Sequence, residues 1–155
     1  MPATRSKNGV YALLLVCGAP LAGCGDDPTG PDFQVIEETV FAASLGIDLS
    51  RMTVKGGVYI EDLVVGTGDP VGLGSTVDVA YTGWLSDGFE FDSGEFPLTV
   101  GSGVVPGFSE GVDGMRAGGK RKIIIPPELG YGANANGPIP AGSILVFDVE
   151  VLIAG

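Results

Sequence analysis

The chain has 155 residues, with 19 acids against 8 bases, no histidine and a net charge of −11. That length suits one domain with short appendages. The acidity argues against a phosphate-backbone partner, so no nucleic acid is expected, and the lack of imidazole excludes histidine catalysis and most zinc chemistry.

The first residues read as an address. Arg5 and Lys7 stand in an N-terminus without acids, followed by an apolar run from Val10 to Gly18. Basic start, short apolar middle and small residues before a cut mark a secretory signal over residues 1–23. The run is far shorter than the roughly 20 residues that span a bilayer. Leu21-Ala22-Gly23-Cys24 resembles the bacterial lipobox, whose cysteine takes a diacylglyceryl group and becomes the mature N-terminus. Cys24 is thus the expected lipidation site, and several acyl chains on one residue anchor firmly. The expectation is a protein held at a bacterial membrane on its extracytoplasmic, periplasmic side, with Gly25 and Asp26 leaning towards the outer membrane. The other cysteine is Cys17, so no thiol remains in the body for a disulfide or a metal. Loss of residues 1–23 removes two positive charges and leaves −13.

Residues 25–34 are turn formers and acids without an apolar pattern, a solvated spacer. Over residues 35–47 the pairs Ile36/Val40 and Phe41/Leu45 stand four apart, which predicts a short helix closed by Gly46. The expected organisation is therefore a signal at 1–23, a tether with a short helix at 24–54, and a folded domain at 55–155.

From Val58 the period changes to two. A first strand ends at the turn cluster Gly66-Thr-Gly-Asp-Pro. Residues 76–85 alternate Val77, Val79 and Tyr81 against Asp78, Ala80 and Thr82, a half-buried strand. Asp87-Gly88 makes a tight turn, and residues 89–92 and 96–100 give two further extended pieces. Over residues 107–116, Phe108, Val112 and Met115 share one helical face, and Pro106 suits the entry. A strand at 120–126, a loop at 127–142 and a last strand at 143–153 follow. One helix among five or six antiparallel strands predicts an α+β fold, a twisted sheet wrapped around a short helix.

Six segments carry a resemblance: Val79-Ala-Tyr-Thr-Gly-Trp-Leu, Asp87-Gly-Phe-Glu-Phe-Asp-Ser, Val105-Pro-Gly-Phe-Ser-Glu-Gly, Met115-Arg-Ala-Gly-Gly-Lys-Arg, Ile125-Pro-Pro-Glu-Leu-Gly-Tyr-Gly and Leu145-Val-Phe-Asp-Val-Glu-Val. In order and spacing they resemble the FKBP-type peptidyl-prolyl cis–trans isomerases across residues 58–153. The resemblance implies an isomerase without cofactor or metal that acts on proline-containing polypeptides and takes macrolide inhibitors. It implies catalytic roles for Tyr81, Asp92, Tyr131 and Phe147, and a substrate-binding hollow completed by Phe91, Phe96, Val104, Val105, Phe108 and Ile139. Phe108 would form the floor, where the family often has tryptophan. The Tyr131 hydroxyl and the Ile139 backbone N–H would hold peptide carbonyls. Asp92 would either fix Tyr81 or face the strained carbonyl.

The stretch from Asp92 to Phe96 is shorter than in longer members, and a basic residue they carry nearby has no counterpart. Residues 133–140 match a short flap, where some relatives carry an inserted chaperone domain. Taken singly, Phe147, Val104 and Val105 read as core, Tyr131 as a loop anchor and Asp92 as a turn cap. Three functions stay open: an isomerase aiding the folding of exported proteins, a non-catalytic peptide-binding module on the same scaffold, and a lipid-tethered spacer.

Overall fold

Alternating residues from Val58 onward can bury one side chain in two only if the extended segments pair into a sheet, and they do. A computed structural model describes residues 32–154. The signal, Cys24 and most of the spacer lie outside the described residues. The strands are β1 (Thr53–Lys55), β2 (Val58–Val64), β3 (Thr76–Leu85), β4 (Glu90–Thr99), β5 (Lys120–Ile125) and β6 (Leu145–Ala154), with helix α1 (Pro106–Val112) between β4 and β5. All neighbours are antiparallel, in the order β1-β2-β5-β6-β3-β4. This is the expected sheet clasping one helix.

The inner face holds the main core. Val77 and Val79 on β3, Ile123 and Ile125 on β5, and Leu145, Phe147, Val149 and Val151 on β6 close on Phe108 and Val112 of α1. The helix lies unusually near the strands. A β-carbon at Gly107 or Gly111 would strike Ile125 or Ile123, so glycine there sets the depth at which Phe108 sits.

Three local expectations change. The helix is shorter than residues 107–116, ending at Val112 because Gly114 turns left-handed at φ 82°; Met115 is still buried in the core. The extended pieces at 89–92 and 96–100 are one strand. Ser93, Gly94 and Glu95 stay in register with Thr82, Tyr81 and Ala80, so the shortened stretch needs no loop. At the expected turn, the Gly88 N–H donates to the Leu85 carbonyl at 3.0 Å and the Leu85 N–H to that of Phe89 at 2.9 Å.

The largest departure concerns residues 32–52, where a tether and short helix were expected. They form a strap of three 3₁₀ turns, Ile36–Glu38, Ala43–Leu45 and Leu49–Arg51. Ile36 and Leu45 are buried against Ile124, Ile144 and Val146 on the outer sheet face, beside Trp84 and Tyr59. Val40, the supposed partner of Ile36, is 93% exposed. The i, i+4 pairing fails because the two buried side chains stand nine apart and anchor separate turns. An extended strap reaches across several strands, which a helix of that length cannot do. With β1 added to the sheet edge, the folded unit takes in residues 32–54 and does not begin at 55.

Candidate active site

Four inward-pointing aromatic side chains from strands and one from the helix meet on the inner face. Tyr81 comes from β3, Phe91 and Phe96 from β4, Phe108 from α1 and Phe147 from β6. Period two along β3 and β6 brings Tyr81 and Phe147 to this face, and a bulge in β4 opposite Gly83 and Trp84 lets Phe91 and Phe96, five residues apart, both reach it. Phe108 and Phe147 meet edge to face with centroids 5.1 Å apart, Phe91 and Phe147 at 5.5 Å, and Tyr81 and Phe96 at 5.4 Å. Such pairs hold ring orientation as well as burying area. Phe108 lies 3% exposed and Phe147 6% exposed.

Together they wall a hollow of about 150 Å³, lined by Tyr81, Phe91, Asp92, Phe96, Gly103, Val104, Val105, Phe108, Tyr131 and Phe147. Nine of the ten residues expected there converge. Ile139 does not line it. Its side chain is buried in the core, and its N–H donates to the Asn136 carbonyl at 2.9 Å within the turn through Gly137 and Pro138. The N–H expected to hold a peptide carbonyl is therefore engaged. Among the described residues, neither the Tyr131 hydroxyl nor the N–H groups of Gly103, Val104 and Val105 on the hollow's wall donate a hydrogen bond within the chain, so these are donors the hollow can offer.

Asp92 is held although the basic residue of longer relatives is missing. The Tyr81 hydroxyl donates to its Oδ2 at 2.6 Å, and the Ser93 N–H donates to its Oδ1 at 3.0 Å. Burial first, then this bond and the nearby carboxylate charge, push the Tyr81 phenol up to about 12. Tyr81 therefore keeps its proton at neutral pH, with its ring fixed against Phe96 and Phe108.

Gly83 escaped the reading of the sequence. It faces inward on β3, and a β-carbon there would lie 2.6 Å from Phe91 and 2.7 Å from Phe147. A lone glycine inside a strand pattern is the signal that marks such a close approach. Gly83→Ala should part the Phe91–Phe147 pair and lower kcat/KM for an X-Pro peptide about tenfold. A protease-coupled isomerisation assay checks this; turnover within twofold of the parent protein would remove Gly83 from the site.

The lining holds no thiol, amine or imidazole. A hollow of rings with a few donors can grip a small apolar ring and its flanking amides. The family model for FKBP-type peptidyl-prolyl cis-trans isomerase matches residues 68–152. The chain is 48% identical over 104 residues to the FK506-binding protein of Neisseria meningitidis serogroup B, covering 63% of this chain and 95% of that one. It is 42% identical over 126 residues to peptidyl-prolyl cis-trans isomerase FKBP15-3 of Arabidopsis thaliana, covering 75% and 87%. Among solved structures, FkpA from Escherichia coli matches with a TM-score of 0.63 and 37% identity over 67% of this chain and 51% of that one. The chain belongs to the FKBP-type peptidyl-prolyl cis–trans isomerases.

Proposed function

We propose that this isomerase works outside the cytoplasm, held at a bacterial membrane by acyl chains on Cys24, where it speeds X-Pro isomerisation in exported polypeptides. The observation that carries the reading of the site is the convergence of Tyr81, Phe91, Phe96, Phe108 and Phe147 on one hollow. The Leu21-Ala22-Gly23-Cys24 pattern supports the anchor.

Rotation about the peptide bond is hindered by roughly 18–20 kcal/mol because the C–N bond is partly double. Catalysis needs no bond to the enzyme, only a site that binds the twisted amide better than the planar one. Twisting breaks the resonance and withdraws charge from the carbonyl oxygen, so water loses its preference for the amide as it turns. A ring-walled hollow that excludes water removes the planar form's advantage. In this reading Phe108 supports the proline ring, with Tyr81, Phe91, Phe96 and Phe147 beside it. The Tyr131 hydroxyl and the Val105 N–H donate to carbonyls flanking the twisting bond, which fixes one side while the other turns. Asp92 acts by holding Tyr81, the first of its two expected roles. FK506, for which the relatives are named, would compete for the hollow with proline-containing chains.

The test uses the full chain and its Cys24→Ala variant. Acyl labelling and membrane fractionation should find the parent protein lipidated and membrane-bound, and the variant unlabelled and released. Both should accelerate isomerisation of an X-Pro peptide and lose that activity to FK506. An unlabelled parent chain would overturn the anchor; absent turnover would overturn the site roles.

A further inference from the structure

The strap touches more than the outer core. Gln34 is exposed as a residue, yet its backbone and side chain join three segments. Its N–H donates to the Gly142 carbonyl at 3.0 Å. Its Oε1 accepts from the Ile144 N–H at 2.9 Å, and its Nε2 donates to Ser86 Oγ at 3.3 Å. Gly142 and Ile144 end the flap loop where it enters β6, and Ser86 opens the turn between β3 and β4. Ser86 is held a second time, because its carbonyl accepts from the Ala42 N–H at 2.9 Å.

Both clamped segments lead to the hollow. The Gly142 N–H donates to the Gly132 carbonyl at 2.8 Å, and the Gly132 N–H to that of Pro127 at 2.8 Å. Gly132 follows Tyr131, which lines the hollow. Along the other branch, the turn at Ser86 passes directly into Phe91 and Asp92 of β4. The strap also packs too closely to be incidental: a β-carbon at Gly88 would sit 3.1 Å from Ala42 and Ser44, and one at Gly142 would strike the Asp32 carbonyl oxygen and approach Phe33.

We infer that Gln34 is a positioning residue for isomerisation: it ties the N-terminal strap to the flap base and to the β3–β4 turn, and so holds Tyr131 and Phe91 at their places in the hollow. The residue touches no lining atom and acts through two short backbone relays. Small displacements of positioned groups cost catalysts far more than they cost folded stability. The inference rests on the hollow as the seat of turnover.

The experiment compares Gln34→Ala, Gln34→Glu and Ile36→Ala in the full chain. Gln34→Glu keeps the acceptor for the Ile144 N–H and can still accept from the Ser86 hydroxyl, which lies 3.5 Å from Oε1. Ile36→Ala loosens the strap's apolar contact with Ile124, Ile144 and Val146 without touching the flap bonds. With each protein folded, as thermal unfolding reports, Gln34→Ala should lower kcat/KM about tenfold and speed amide exchange at Gly142 and Ile144. Gln34→Glu should restore turnover to within about twofold. Ile36→Ala should lower the unfolding temperature and leave kcat/KM at the parent level. Parent-level turnover in Gln34→Ala, no rescue by glutamate, or an equal loss in Ile36→Ala would each overturn the inference. A Phe147→Ala control run beside them reports on the hollow itself. If it too retains full turnover, the site assignment has failed and not the strap alone.

Discussion

Phe147→Ala is expected to lower kcat/KM for an X-Pro peptide about a hundredfold while the sheet still folds. Phe147 is the hub of the rings: it meets Phe108 at 5.1 Å, Phe91 at 5.5 Å and Tyr81 at 6.3 Å. Truncation removes a wall from the hollow and leaves three rings without the edge that orients them. It also admits water to a site whose advantage lies in excluding it. The stability loss should be about 3–5 kcal/mol, which a domain of roughly 5–15 kcal/mol survives when measured cold. Phe147→Leu keeps apolar volume without the ring geometry, so it should recover most of the stability and only part of the turnover. Urea unfolding and the protease-coupled assay separate the two effects. Turnover within threefold of the parent in Phe147→Ala would mean the rings are ordinary core.

Arg121→Met is expected to cost about 3 kcal/mol of stability, the largest loss from any single charged side chain here. Arg121 is buried at the end of α1, with its side chain 8% exposed. Its Nε donates to Asp62 Oδ1 at 2.6 Å, and one terminal nitrogen donates to the Gly111 and Asp113 carbonyls at 2.8 and 3.2 Å. The last carbonyls of a helix have no partner within it, and a helix of seven residues has few bonds to spare. Methionine fills the space but leaves the Gly111 carbonyl buried and unpaired and takes from Asp62 its cationic partner, while the Asp113 carbonyl keeps its bond from Lys55. Lysine offers a charge without the planar fork, so Arg121→Lys should recover less than half of the loss. Lys55 reaches the Asp113 carbonyl from the open side at 2.6 Å, but its half-exposed ammonium makes it the lesser cap. Because α1 carries Phe108, the temperature at which Arg121→Met loses activity should fall in step with its unfolding temperature. An unchanged urea midpoint would show that water serves the Gly111 carbonyl as well.

Strands and pocket are legible for the same reason. Alternation in Val77–Val79–Tyr81 and in Leu145–Phe147–Val149–Val151 places Tyr81 and Phe147 on the inner face, whereas Phe91 and Phe96, five apart on β4, share it only through a bulge that alternation does not show. The motif order then assigns nine of the ten lining residues through the family resemblance. Gly83 was readable in principle as an isolated glycine in a strand. The error at Ile139 has a different origin, since which N–H is spent depends on how the loop at residues 133–140 folds back on itself. Whether a backbone donor is free is a property of its partner, and the partner is not written beside it.

The sequence by itself determined which side chains of β3 and β6 face inward, that the helix of the sheet domain begins at Pro106, and the tight turn at Asp87-Gly88, because those follow from periodicity and from glycine and proline over a few residues. Only the tertiary structure decided that residues 32–52 form a strap and not a tether, that Asp92 is held by Tyr81, and that the Ile139 N–H is spent within its own turn. The strap's buried residues, Ile36 and Leu45, find their partners on β5 and on β6 and its approach, at Ile124, Ile144 and Val146, far along the chain. A contact across that distance is fixed by the packing of the whole sheet, so no local pattern in the chain could have announced it.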